Sequence, residues 1–328
     1  MRYPVMLVLL LAAALLSAAA LPAAPAIAAA APATTAPVYG WSVDADTEVA
    51  IEPDVVYRRA SGVDLKADIY TPYPAAGPTP TIIAFHGGGW VEGTKDQVTL
   101  SLLPYLERGF SVVNIGYRLG RVAEAPAAVE DARCALRWVA ANAERYRFDP
   151  RRIVVMGWSA GGHLALTTGM LPLSAGFDAT CPTPDETRWS SGDLPEVKVA
   201  AVINWYGITD VVDLLVGPNS KHYAIEWLGS RADRMDLARR VSPLTYVRAS
   251  LPPIITIHGD ADPYVPYSQA TRLHQALDKT GVPNRLVTIT KGGHGDFAPV
   301  ERRTIYTAIF EFLGERGLMP ARPPAPGR

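Results

Sequence analysis

The sequence predicts an α/β fold: a mostly parallel, eight-stranded sheet covered by helices on both faces. Three observations predict it. Short β-branched runs alternate regularly with longer segments of helical period. Most of the short runs are near-continuously apolar, as strands buried on both faces must be. A first pair of runs instead alternates apolar and polar residues, as a hairpin at the margin of such a sheet would.

The elements follow in chain order. DVVYRR (54–59) and DLKADIYT (64–71), joined by ASGV (60–63), predict the antiparallel pair. Six further runs predict inner strands: TIIAF (81–85), SVVNI (111–115), RIVVM (152–156), KVAAVINW (198–205), PIITIH (253–258) and RLVTIT (285–290). Between them, PAAVEDARCALRWVAANAERY (126–146) places Val129, Ala132, Leu136, Val139 and Ala143 at spacings of three and four, one apolar helical stripe with charges opposite. GHLALTTGML (162–171), SQATRLHQALDKT (268–280) and ERRTIYTAIFEFLGE (301–315) also predict helices. Two segments are candidates for a rim or for surface decoration: 172–193, irregular and Cys-bearing, and 211–241, largely helical. Ligands of such sheets sit beyond the carboxyl ends of the strands, so the loops at those ends carry the functional reading.

At the N-terminus, Arg2 precedes a 17-residue uncharged apolar run (5–21), and small residues then offer Ala-x-Ala cleavage sites such as 26–28. Residues 1–28 are therefore expected to be a signal peptide, with a retained anchor as the alternative, and the folded part to be secreted or periplasmic with no stable membrane span after processing. A polar lead-in (29–50), one domain (51–316) and a Pro-rich tail (317–328) complete the predicted organisation. With 48% hydrophobic and 19% charged residues, the chain has ample material for a core. A formal net charge of −1, with Lys and Arg scattered, excludes the basic footprint of a nucleic-acid binder. The two cysteines, Cys134 and Cys181, form a disulfide in an oxidising compartment, or else Cys134 is a small buried helix residue; both readings stay open.

The most informative stretch is IVVMGWSAGGHLALTTGML (153–171). A buried strand passes through GWSAG into a helix, leaving Ser159 on a very tight turn with Gly157 and Gly161 two residues either side, where a Cβ would collide as strand and helix converge. G-x-S-x-G in that context is a nucleophile elbow. A serine nucleophile needs a base, an orienting carboxylate and donors for a developing oxyanion. After TIIAF comes HGGGW (86–90), whose glycines leave backbone N–H groups unobstructed, and Ala160 adds an N–H at a helix start. After PIITIH comes HGDADPYVP (258–266), and after RLVTIT comes KGGHGDF (291–297), with His294 between glycines. The other histidines have plainer explanations: His86 and His258 as loop braces, His163 inside a helix, His222 and His274 facing solvent. No pair has metal-motif spacing, so neither a metal nor a cofactor is expected.

Together HGGGW, YRL (117–119), GWSAGGHLAL, WYGITD (205–210), HGDADPYVP and GGHGDF resemble the secreted α/β-hydrolase esterases with an HGGGW loop. The chain is similar to hormone-sensitive-lipase-like esterases and closer still to the bacterial feruloyl and acetyl esterase-like branch. The resemblance spans roughly 50–316 and implies an α/β-hydrolase fold with a Ser159, Asp262, His294 triad, Asp262 rather than Asp260 supplying the acid. It further implies an oxyanion hole from Gly88 and Gly89, joined by Ala160. The lead-in is too short and polar for the large N-terminal helical cap many such relatives carry, so no large cap domain is expected.

The implied activity is hydrolysis of carboxylic esters (acetyl, feruloyl or other short or aryl acyl groups, on a small molecule or a carbohydrate) through an acyl-enzyme. An amide-directed relative, such as an arylformamidase or small peptidase, uses the same triad, and a non-catalytic binding module is the third reading. Aromatics crowd the motif loops: Trp90, Trp158, Trp205, Tyr206, Tyr264 and Phe297. Trp90, Trp158, Tyr206 and Tyr264 are expected to contact substrate, with scaffold packing the alternative for Trp158 and Trp205.

Overall fold

The computed structural model describes residues 49–73, 77–182 and 196–321. The predicted signal peptide, nearly all of the lead-in, most of the Pro-rich tail and part of the 172–193 segment lie outside the described residues.

In chain order the elements are β1 (Val49–Ala60), β2 (Val63–Pro72), β3 (Thr79–Phe85), α1 (Thr99–Leu106), β4 (Ser111–Ile115), α2 (Ala127–Ala141), α3 (Ala143–Tyr146), β5 (Phe148–Trp158) and α4 (Ala160–Met170). There follow β6 (Ala201–Trp205), α5 (His222–Leu228), α6 (Arg234–Arg240), β7 (Ile254–Gly259), α7 (Ser268–Thr280), β8 (Asn284–Ile289) and α8 (Pro299–Gly314). All eight described strands form one sheet in the order β1-β2-β4-β3-β5-β6-β7-β8. β2 runs antiparallel to both of its neighbours, and every pair from β4 onward is parallel.

Side-chain alternation along the inner strands divides the core into two layers, one on each sheet face. Ile83, Phe85, Val113, Ile115 and Val155 face α2, α4 and α7 through Leu136, Val139, Leu164, Leu273 and Leu277. Ile82, Ala84, Val112, Val154 and Met156 face α1 and α8 through Leu102, Tyr105, Ile309 and Phe312. β4, β6 and β7 are buried along their whole length, which is why their sequences carry no polar alternation.

Several boundaries differ from expectation. β1 begins at Val49, because the pairing with β2 continues through a register shift between Glu52 and Val55. The 126–146 helix divides at Asn142 into α2 and α3, the second ending on Arg147 in the left-handed region (φ 57°). β6 starts at Ala201, three residues later than the apolar run suggests. His274, expected to face solvent, is instead buried on the apolar stripe of α7, with Nδ1 2.6 Å from Asn284 Oδ1.

Cys134 and Cys181 are disulfide-bonded, their Cα atoms 5.0 Å apart, tying α2 to the chain beyond α4. Ion pairs surround the bond: Arg133 Nη2 lies 2.8 Å from Asp178 Oδ2, and Arg58 Nη1 2.6 Å from Asp131 Oδ1. The bond closes a sequence separation of 47 residues. In the chain-entropy account, loss of such a crosslink costs about 4 kcal/mol. Replacing both cysteines with Ala is therefore expected to lower the urea midpoint substantially. An unchanged midpoint would show that the surrounding ion pairs hold these segments without the bond.

Candidate active site

β5 delivers Ser159 and α4 departs from it. From Ile153 to Thr168 every residue is buried except Ser159. Its backbone stands at φ 55°, ψ −118°, a conformation that L residues rarely adopt and that persists only where the surroundings impose it. They do so here. Ser159 N–H donates to Trp205 O on the adjacent strand (2.9 Å), and Ser159 O accepts from His163 N–H (3.0 Å). A Cβ on Gly157 would strike the Gly161 carbonyl, and one on Gly161 the Phe85 and His86 carbonyls. Both glycines are therefore dictated by the approach of strand, helix and glycine loop.

That loop runs against the serine. A Cβ on Gly87 would lie 3.1 Å from Trp158 O and 3.5 Å from Ser159 Cβ. Gly88 (φ 109°), Gly89 (φ 59°) and Trp90 (φ 63°) follow in left-handed conformations. The turn is closed by Val91 and Glu92 N–H donating to Gly88 O, leaving the Gly88 and Gly89 N–H groups without a backbone acceptor among the described residues. Ala160 opens α4, where the first N–H groups have no intrahelical partner.

Buried aromatics and histidines hold the loop in place. His86 stacks on Tyr117 with ring centroids 4.2 Å apart, and Tyr117 Oη donates to His86 O (2.9 Å). Trp90 corrects a sequence expectation. Its side chain is fully buried, stacked on Trp227 (4.1 Å) and donating from Nε1 to His163 Nδ1 (3.2 Å), so it anchors the glycine loop rather than contacting substrate. His163 Nε2 in turn donates to Val241 O (2.7 Å).

Burial lowers both histidines from 6.5 to about 4, against the opposing effect of their backbone hydrogen bonds. Because the folded values lie below the unfolded ones, this stability is complete above about pH 6.5 and is lost as pH falls towards 4. Between pH 7 and 5 each histidine is expected to withdraw about 1–2 kcal/mol. The check is a pair of urea titrations at the two pH values; equal midpoints would mean that neither imidazole resists protonation.

The other two chemical groups come from the ends of β7 and β8. Asp262 Oδ2 lies 2.6 Å from His294 Nδ1, while its Oδ1 accepts from Tyr264 N–H (2.8 Å) and Val265 N–H (2.9 Å). The Asp262 side chain is fully buried. Burial opposes its charge, but hydrogen bonds from His258 and His294, the nearby His294 ring and the Val265 N–H outweigh it and hold the carboxyl well below the usual carboxylate range. Asp260 is exposed and engaged elsewhere, accepting from Lys291 N–H (2.5 Å). The loops are joined by Ala261 N–H donating to Gly292 O (3.0 Å).

Sheet register links the serine to this pair. Trp158 and Trp205 are paired across β5 and β6, so Ser159 and Tyr206 leave the same sheet end side by side. Tyr206, at φ 40°, lays its ring 4.5 Å from that of His294. Tyr264 also lies near the imidazole, its ring centroid 5.3 Å away, and is 59% exposed. Trp158 and Trp205 are buried and stack on each other in the core, the packing alternative foreseen for them, and Phe297 is buried beside Tyr206.

One residue at the site went unread in the sequence. Tyr223 of α5 packs where a Cβ on Gly89 would be (2.8 Å) and donates from Oη to Tyr264 O (3.1 Å), bridging the glycine loop and the acid loop. Lys221 Nζ donates to Pro263 O (2.9 Å) beside it, so this part of the 211–241 segment is tied to the acid loop. Among the described residues no group of three or more His, Cys, Asp or Glu is arranged to hold a metal. No helix of the described residues is long and apolar enough to cross a membrane.

A parallel sheet with this strand order and an antiparallel β2, a serine at the β5–α4 turn and an Asp–His pair beyond β7 and β8 define an α/β-hydrolase fold. The chain belongs to the BD-FAE family, whose model matches residues 67–277; a second model, described as TAP-like protein, matches residues 233–323. It is 30% identical to an esterase from Thermogutta terrifontis solved with propionate bound (TM-score 0.67, covering 87% of this chain and 97% of that one). A truncated carbohydrate esterase from gut microbiota is 26% identical (TM-score 0.63, covering 80% and 96%). Esterase LipQ of Mycobacterium tuberculosis is 29% identical over 244 residues, 72% of this chain but only 55% of LipQ, so this chain spans about half of that relative.

Proposed function

We propose that the protein is a carboxylic ester hydrolase acting through an acyl-enzyme on Ser159. The observation that carries the reading is the 2.6 Å contact between His294 Nδ1 and a buried Asp262 carboxylate, at the same sheet end from which Ser159 leaves β5 at a strained strand-to-helix turn. Its membership in a family with esterase relatives supports the same chemistry.

His294, with Nδ1 committed to Asp262, offers Nε2 to the Ser159 hydroxyl. As Oγ bonds to the ester carbonyl carbon, the imidazole takes the proton, and Asp262 stabilises the resulting imidazolium. The carbonyl oxygen, now anionic, is received by the N–H groups of Gly88, Gly89 and Ala160. Collapse breaks the bond to the alcohol oxygen, which leaves with the proton from His294. Water, deprotonated by the same imidazole, then releases the acid and restores Ser159. Tyr206 and Tyr264 flank the imidazole and form a wall suited to a short or aryl acyl group.

We also assign the activity to an extracytoplasmic compartment, as the N-terminal sequence predicts. The Cys134–Cys181 bond supports this, since such bonds persist in oxidising surroundings.

The test is a panel of purified-protein assays against acetyl, longer acyl, feruloyl and acetylated-sugar esters, with aryl amides alongside. Ester turnover that disappears in Ser159→Ala is expected. Preferential amide turnover would replace the ester reading, and turnover of neither class would leave a binding protein.

A further inference from the structure

His258 is the penultimate residue of β7, and its side chain is completely buried. The acyl-transfer steps make no use of it. Its Nε2 stands 3.0 Å from Val265 O and 3.3 Å from Asp262 Oδ2. Both neighbours are acceptors, so Nε2 carries a hydrogen and shares it between a carbonyl and a carboxylate. The opposite nitrogen, Nδ1, is buried and has no hydrogen-bond partner among the described residues. A buried imidazole with one bare nitrogen is a costly way to fill space that an apolar side chain would fill without loss. The cost is offset only by what Nε2 does.

Nε2 completes the surroundings of the Asp262 carboxylate. Oδ1 receives the Tyr264 and Val265 N–H groups, Oδ2 lies 2.6 Å from His294 Nδ1, and His258 Nε2 stands 3.3 Å from the same oxygen. Three hydrogen bonds hold the carboxylate, and the His258 Nε2 contact adds the fourth polar neighbour. The same Nε2 reaches Val265 O, so one imidazole fastens both the acid and the turn that carries it to the end of β7. The ring is itself confined by Tyr267, edge-on at 5.6 Å.

We propose that His258 is a positioning residue for the reaction: it fixes the rotamer of the Asp262 carboxylate, and through it the tautomer and orientation of the His294 imidazole. Without it, Oδ2 keeps only its His294 contact and the Val265 carbonyl loses its donor, so the carboxylate can swing more widely about its Cβ–Cγ bond. The Asp262–His294 contact then holds for a smaller part of the time, which slows chemistry while leaving substrate contacts as they are.

This inference rests on the triad reading above, and the experiment separates the two. Three variants are compared with the full-length protein and with Ser159→Ala on one short-chain aryl ester, each checked for folding by thermal melting. His258→Leu removes the donor, His258→Asn keeps polarity but falls short of Oδ2, and His258→Gln presents an amide N–H near the position of Nε2. Leu and Asn are expected to lower kcat about 10- to 100-fold with KM within twofold, and Gln to recover most of the loss. If the Leu variant fails to fold, the Asn and Gln pair carries the comparison. An inactive Ser159→Ala beside Leu or Asn variants at full kcat, or a Gln variant as impaired as Asn, overturns the role of His258 and leaves the triad standing. Activity retained in Ser159→Ala overturns the triad itself.

Discussion

Ser159→Ala is expected to lower ester turnover by roughly a million-fold, the loss seen when the nucleophile of a Ser-His-Asp hydrolase is removed. The protein should stay folded. The backbone bonds that impose the turn, Ser159 N–H to Trp205 O and His163 N–H to Ser159 O, do not involve the hydroxyl. No side-chain cap from Ser159 supports α4 either. Alanine tolerates φ 55° about as poorly as serine, so the strain is common to both chains and cancels in the comparison. The measurement is single-turnover hydrolysis of an aryl ester together with a thermal melt. Activity within tenfold of the parent chain, at equal stability, would take Ser159 out of the mechanism.

What was legible in the sequence is what backbone geometry or strand periodicity dictates. Gly157 and Gly161 mark Ser159 because no other residue fits where strand and helix converge, and that constraint is local. The Asp262–His294 pair was placed by motif resemblance at strand ends, and the parallel sheet does bring the loops after β7 and β8 together. Trp90 was misread for the opposite reason. Its stacking partner Trp227 lies on α5, far along the chain, and nothing in HGGGW announces that contact. Tyr223 escaped on the same ground, since its role depends on where α5 docks against Gly89. His274 is placed by helical period rather than by residue type: Ala270, Leu273, His274 and Leu277 form one buried stripe of α7. The antiparallel β1–β2 pair lengthened because hydrogen bonding passes through a bulge that apolar/polar alternation treats as an end.

Asp262→Asn is expected to cut kcat about 10,000-fold, against a loss of no more than a few-fold for Asp260→Asn. The two aspartates stand two positions apart in one loop, but their partners differ. Asp262 Oδ2, on a fully buried side chain, meets His294 Nδ1 at 2.6 Å, and its ionised carboxylate requires the imidazole to present a hydrogen at Nδ1 and so frees Nε2 to act as the base. Asparagine in the same rotamer can turn its NH2 towards Nδ1, selecting the opposite tautomer and placing the hydrogen on Nε2, where it blocks proton transfer from Ser159. Its shape is conserved and the Oδ1 bonds from Tyr264 and Val265 N–H remain available, so the loss should fall on chemistry rather than on folding. Asp260 caps the Lys291 N–H from an exposed position, and an amide oxygen at that site can still accept the bond. Because the Asp262 carboxyl is held well below its ordinary value, its contribution to stability is present above the unfolded value of 3.8 and lost only as pH falls below it. At pH 7 the parent carboxylate is fully ionised, so rates compared there set a charged acid against the neutral amide. Steady-state rates of both variants at pH 7, with melting curves to confirm folding, decide the assignment. A larger loss at Asp260 would move the acid to the exposed carboxylate and make the 2.6 Å contact a purely structural one.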